Sequence, residues 1–121
     1  MIKVMLFVKR KPGLTPDEFR ARYENGHVPL AIIELPHLRR YQRNYAKLSP
    51  DLPEPDFDVV TEFWFDNKEG WKATVAHVLD PVAGKTLADD EAEFMDRATM
   101  RFVMVDETIA DVAALREGRQ A

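Results

Sequence analysis

Ile2 to Arg10 is apolar on both of its alternating side-chain sets, and that property constrains what this chain can fold into more than any other. A β-strand points successive side chains to opposite faces. One set here is Ile2, Val4, Leu6 and Val8, and the other is Lys3, Met5, Phe7 and Lys9, apolar at its centre. A sheet built on such a strand needs cover on both sides. Phe57 to Phe65 repeats the pattern, with Phe57, Val59, Thr61, Phe63 and Phe65 against Asp58, Val60, Glu62 and Trp64. Ala98 to Asp106 does so again, with Met100, Phe102 and Met104 against Val103 and Val105. The segment from His37 to Leu48 differs: Arg39, Tyr41, Arg43 and Tyr45 oppose Leu38, Arg40, Gln42 and Asn44, a partly wet strand suited to an edge.

Helical signals separate these strands. After the turn Lys11-Pro12-Gly13, Thr15 caps, Pro16 takes the first helical position, and Glu18 completes a capping box. Phe19 and Tyr23 share a face and His27 falls next on the same stripe, but Gly26 and Pro29 predict that the helix stops first and that His27 lies on a turn. A short helical turn, Leu30 to Leu35, precedes Pro36. A proline-rich loop spans Ser49 to Asp56. Asp66-Asn67 then caps a helix through Trp71, Val75 and Val78 or Leu79, which Asp80-Pro81 interrupts before a further helical piece from Val82 to Phe94 or Met95. The acidic run Asp89-Asp90-Glu91 in it reads as a solvated face or a helix start. The order β-α-β-β-α-β predicts an α+β, ferredoxin-like fold, a four-stranded antiparallel sheet with its helices on one face. The other face is then left for a second copy of the chain, a homodimer. Residues 1–107 form the domain, and 108–121 a C-terminal helical arm whose tail, from Arg116, is expected to be poorly ordered.

Composition narrows the chemistry. A chain of 121 residues with formal net charge -4 has no basic footprint for nucleic acid, and no apolar run approaches the roughly 18 residues a bilayer span needs. Zero cysteines remove disulfides, thiolate nucleophiles and Cys-ligated metal. The three histidines, at 27, 37 and 77, have no local metal spacing, and the scattered glycines form no phosphate loop. The expectation is a cytoplasmic protein without cofactor or metal, bound to neither membrane nor nucleic acid, whose chemistry rests on His, Tyr and carboxylate.

Lys9-Arg10-Lys11-Pro12-Gly13-Leu14-Thr15-Pro16-Asp17-Glu18-Phe19, then Tyr23 and His27-Val28-Pro29-Leu30, resembles the EthD-like branch of the dimeric α+β barrel superfamily. Asp58 to Asp66 looks like the second block of that pattern. Glu24 stands where the family often has an aromatic residue. The resemblance implies a homodimer with facing sheets and a pocket in each subunit between sheet and helices. Superfamily relatives include isomerases, polyketide cyclases, cofactor-free monooxygenases and haem-handling proteins, so it speaks for a fold more than a reaction.

His27 is the candidate general acid or base, because imidazole titrates near neutrality; the alternative is a ring that only caps the helix end. Tyr23 is the candidate donor to an oxyanion, against a core aromatic with a satisfied hydroxyl. Glu62, mid-strand between Val60 and Trp64, needs a partner such as Arg40 or Arg43, and a cross-strand ion pair is its plainer reading. Phe19, Tyr41, Trp64 and Trp71 are candidates for an aromatic pocket wall, or are simply core, and His77 is a weaker pocket candidate. Together these residues suggest cofactor-free proton transfer next to a carbonyl (isomerisation, cyclisation or elimination by an isomerase, cyclase or lyase) on a cyclic or aromatic small molecule. The alternatives are a cofactor-independent monooxygenase and a non-catalytic binding dimer.

Overall fold

The structure is a computed structural model and describes residues 1–120. Its strands are β1 (Ile2–Arg10), β2 (Leu38–Tyr45), β3 (Val59–Phe65) and β4 (Met95–Val105), and they form one antiparallel sheet in the order β2-β3-β1-β4. Of the three strands that read as apolar on both sides, β1 and β3 are central and β4 is at an edge, opposite the partly wet β2. That is the ferredoxin-like α+β arrangement. Register assigns every side chain to a face, since directly paired residues point the same way. Val4 pairs with Phe63 and Met104, and Leu6 with Thr61 and Phe102; Met5 pairs with Glu62 and Val103 on the opposite side.

All the packed helices cover the first face. Helix α1 (Pro16–Arg22) starts in the predicted capping box, with Thr15 Oγ1 accepting from Glu18 N–H at 3.1 Å and Glu18 Oε1 from Thr15 N–H at 2.9 Å. Its Phe19, 1% exposed, packs with Val8, Tyr23, Val59 and Phe94, each such side chain contributing roughly 1.5–3 kcal/mol of burial. Gly26 does not end the helix. Tyr23–His27 forms a π-helical turn and α2 (Val28–Glu34) follows without a break. The wider turn explains how Pro29 is accommodated. Val28 N–H bonds Tyr23 C=O, five residues back, and the widened backbone relieves the clash a proline ring makes with the carbonyl four residues before it. His27 is therefore held inside a helix and 4% exposed, instead of lying on a turn.

Helix α3 (Lys68–Leu79) is capped by Asn67, whose side chain accepts from Gly70 N–H. Asp80 Oδ1 accepts from Val82 and Ala83 N–H, so the next helix, α4, begins later than predicted, at Lys85, and runs to Phe94. β4 starts at once, at Met95, three residues before the expected strand. Helix α5 (Val112–Gln120) continues through Arg116, where a poorly ordered tail was expected; Ala121 lies outside the described residues. Residues 106–119 are exposed throughout. No helix among the described residues is long and apolar enough to cross a membrane.

A candidate proton-transfer site beneath the helices

Between the sheet and helices α2, α3 and α4 lies a cavity of about 280 Å³. Leu6, Phe63, Phe65 and Met95 form its floor, Ala31, Leu35, Trp71, Thr74, Val75 and Leu87 its walls. Val78, Leu79 and Phe102 also line it yet keep 41%, 76% and 55% exposure, which marks its mouth. Among the described residues, four titratable side chains line it, Tyr23, His27, Tyr41 and Glu91, and no lysine or arginine does.

His27 sits where the π turn presents it to the cavity, against the rings of Tyr23 and Phe94 at 5.6 and 5.3 Å. Its Nδ1 is 2.8 Å from Oδ2 of Asp90 on α4, and Asp90 also takes a hydrogen bond from Arg22. Burial pushes the Asp90 carboxyl up, but the hydrogen bonds from Arg22 and His27 outweigh that and hold it below its ordinary value. An ionised carboxylate only accepts, so Nδ1 carries the proton and donates it. Burial pushes the imidazole pKa below 6.5, against the opposing pull of Asp90. The ring is thus neutral at pH 7, with the lone pair on Nε2, which has no protein partner among the described residues. A buried, oriented imidazole with a free lone pair, on a ring that lines a largely apolar chamber, is equipped to take a proton.

Tyr23 is fully buried, and its hydroxyl is shared. It lies 2.8 Å from Thr61 Oγ1, and it accepts from Tyr41 at 3.1 Å. With Tyr41 donating to it, Tyr23 has Thr61 Oγ1 as the remaining hydrogen-bond partner for its own proton, and Tyr41 carries the proton that can turn towards a ligand. Burial pushes the Tyr23 pKa up to about 12 and raises that of Tyr41 well above its ordinary value, so both stay protonated donors.

Of the other residues singled out from sequence, Tyr41 and Trp71 line the cavity. Phe19 does not; it is core beneath α1. Glu62 and Trp64 are on the opposite face of the sheet, because each pairs in register with a residue of that face. Glu62 accepts there from Gln42 and Asn44 at 3.0 and 2.9 Å, and from Trp64 Nε1 at 3.2 Å, with Lys3 Nζ at 3.1 Å as its cation in place of Arg40 or Arg43. Arg43 is engaged by Glu24, which also takes the Tyr45 hydroxyl at 2.6 Å. His77 pairs with Glu34 at 2.9 Å and does not line the cavity. The acidic run is not a uniformly solvated face: Asp89 is outside with Lys85, whereas Asp90 and Glu91 turn inward. The segment reads as helical from its sequence, and the phase of that helix carries the signal, since Leu87, Asp90 and Glu91 lie at i, i+3 and i+4 and share a face. Among the described residues no three His, Asp or Glu side chains gather as a metal site requires.

The EthD domain model matches residues 11–98, which contain the π turn, β2, β3 and α4. The chain belongs to the EthD family. Among solved structures, an EthD-family protein of Bacillus halodurans superposes with a TM-score of 0.64 at 21% identity, over 89% of this chain and 100% of that one. A dimeric protein of ferredoxin-like fold from Bacteroides fragilis gives 0.55 at 12% identity, over 88% and 95%. A putative antibiotic biosynthesis monooxygenase from Nitrosomonas europaea gives 0.56 at 15% identity, over 90% and 100%. No protein of curated function matches the sequence. At these identities the likeness to solved structures is one of fold.

Proposed function

We propose that this EthD-family protein is a small-molecule enzyme that moves a proton next to the carbonyl of a neutral, cyclic substrate, without a cofactor. The observation that carries the reading is the His27–Asp90 pair, whose free Nε2 belongs to a ring lining a largely apolar chamber. An engineered apolar cavity of about 150 Å³ holds benzene. A chamber of about 280 Å³ is thus matched to a bicyclic ring system. In this reading His27 Nε2 takes the proton from the carbon beside the carbonyl, Asp90 and Arg22 hold the imidazole in the correct tautomer, and Trp71 and Phe63 orient the ring. Tyr41, released from Tyr23, donates to the developing oxyanion, and Tyr23 stays bound to Thr61 as its support. Isomerisation, cyclisation and elimination all begin with such a step.

The bare sheet face supports a homodimer. Met5, Phe7, Val60, Trp64 and Val103 lie on it with no helix over them, and a protein of the same fold is described as dimeric.

The test is deuterium uptake by 2-tetralone, a bicyclic ketone sized to the chamber, followed by proton NMR in heavy water. The protein is expected to speed exchange beside the carbonyl above the buffer rate, and His27→Ala to return it to that rate while keeping its circular dichroism. Equal exchange by folded His27→Ala protein would refute the role of His27. Oxygen uptake in the same samples would favour the second reading, a cofactor-independent monooxygenase; the Nitrosomonas europaea protein is described as a putative antibiotic biosynthesis monooxygenase.

A further inference from the structure

Glu91 is the one group in the chamber that the proposed reaction leaves without a task. It follows Asp90 on α4 and lines the cavity, with its side chain 16% exposed. A carboxylate in such a place ordinarily finds a partner. This one makes no hydrogen bond among the described residues, and its partner, in a long ion pair of 3.5 Å, is the half-exposed Arg97 Nε on β4. Burial raises its pKa to about 7, Arg97 pulls it partly back, and the anion of Asp90 adds to the rise. The other groups around it are neutral or spoken for: His27, Tyr23 and Tyr41 are uncharged, and Arg22 is bound to Asp90. The hydrogen-bonded pair of α2 and α3, Glu34 and His77, lies outside the cavity.

A carboxyl kept neutral by apolar surroundings can donate a hydrogen bond to an oxyanion alongside a tyrosine. We propose that Glu91 is the second donor to the substrate's oxygen, partnering Tyr41, so that the site takes neutral carbonyl compounds and turns carboxylates away. The proton balance closes within the site. His27 Nε2 takes the carbon-bound proton, the C–H bond breaks, and the enolate oxygen takes the Glu91 proton to give the enol. When carbon is reprotonated from His27, at the same or a conjugated position, the enol proton returns to Glu91. This rests on the proton-transfer reading above but adds a pH-dependent selection that binding alone reports.

The experiment measures the Kd of 2-tetralone by quenching of tryptophan fluorescence from pH 5.5 to 8.5, with 2-naphthoate as the anionic comparison. If only the protonated acid binds, and it titrates at about 7, the wild type is about tenfold weaker at pH 8 than at pH 6. Glu91→Gln, an amide donor at every pH, is expected to be flat, His27→Ala to keep the wild-type slope, and 2-naphthoate to bind more weakly than the ketone throughout. A flat wild-type profile, a Glu91→Gln slope equal to wild type, no ketone binding at any pH, or preference for the naphthoate would each overturn the proposal. If Glu91→Gln does not fold, carbon-13 titration of glutamate-labelled wild type decides: the ketone must raise the midpoint of the high-titrating carboxyl, and an unmoved midpoint refutes the bond. Failure of the base reading looks different, because deuterium exchange would be absent while the pH slope of binding persisted.

Discussion

Tyr23 and Thr61 form a wholly buried side-chain pair at the cavity, and removing either side chain's oxygen should show how much the site's frame depends on it. Both residues are 0% exposed, and their oxygens are 2.8 Å apart. Tyr23→Phe keeps the ring packed against Phe19 and Phe94 but leaves the Thr61 hydroxyl without its partner in a place water does not reach. A buried donor or acceptor left unpaired costs about 1–3 kcal/mol. Thr61→Val leaves Tyr23 accepting from Tyr41 with nowhere to send its own proton, and the expected cost falls in the same range. Replacing both partners by apolar groups of similar shape removes the bond and the orphan together. The double variant should therefore cost less than the sum of the singles by roughly 1 kcal/mol. Urea unfolding at one fixed protein concentration measures the cycle, with concentration held constant because a dimer's stability depends on it. Single-variant costs that add within about 0.3 kcal/mol would refute the pairing on which the Tyr41 geometry is built.

Two further outcomes follow from the same arrangement. The folded Glu91 pKa of about 7 lies above its ordinary 4.5, so the folded protein holds a proton that the unfolded chain releases, and stability is lost as pH rises between those values. Relative to Glu91→Gln, the wild type should lose roughly 3 kcal/mol between pH 4.5 and 8, read from urea midpoints, and parallel profiles would contradict the burial of this carboxyl. Val103, paired with Met5 on the bare face, carries no contact to the cavity; Val103→Arg should convert the proposed dimer to monomer in sedimentation velocity without altering deuterium exchange.

The fold was largely legible because its signals are local. Side-chain alternation in β1 and β3 reported two faces, and Thr15, Glu18 and Asn67 announced helix starts by hydrogen bonds that span three residues. The site was less so. Gly26 and Pro29 are breakers in isolation, yet the π turn absorbs both, a compromise set by tertiary packing of Tyr23 and His27. Tyr41 and Trp71 were placed in a pocket by being aromatic, and the cavity includes them. Trp64 and Phe19 were grouped with them on the same ground, and burial type alone could not say which side of the sheet, or which layer, each would occupy. Asp90 is 63 residues from His27, so no spacing rule links them, and in a run of acids its inward turn is visible only from the phase of α4.

The account stands on one claim, that a ring-sized neutral ligand meets His27 inside the cavity. Nitrogen-15 NMR of histidine-labelled protein titrated with 2-tetralone tests it with internal controls, because His37 and His77 lie away from the chamber. The prediction is a saturable shift of the His27 Nε2 resonance with those of His37 and His77 unmoved. Saturation that leaves His27 unchanged, or that moves all three histidines alike, would contradict it.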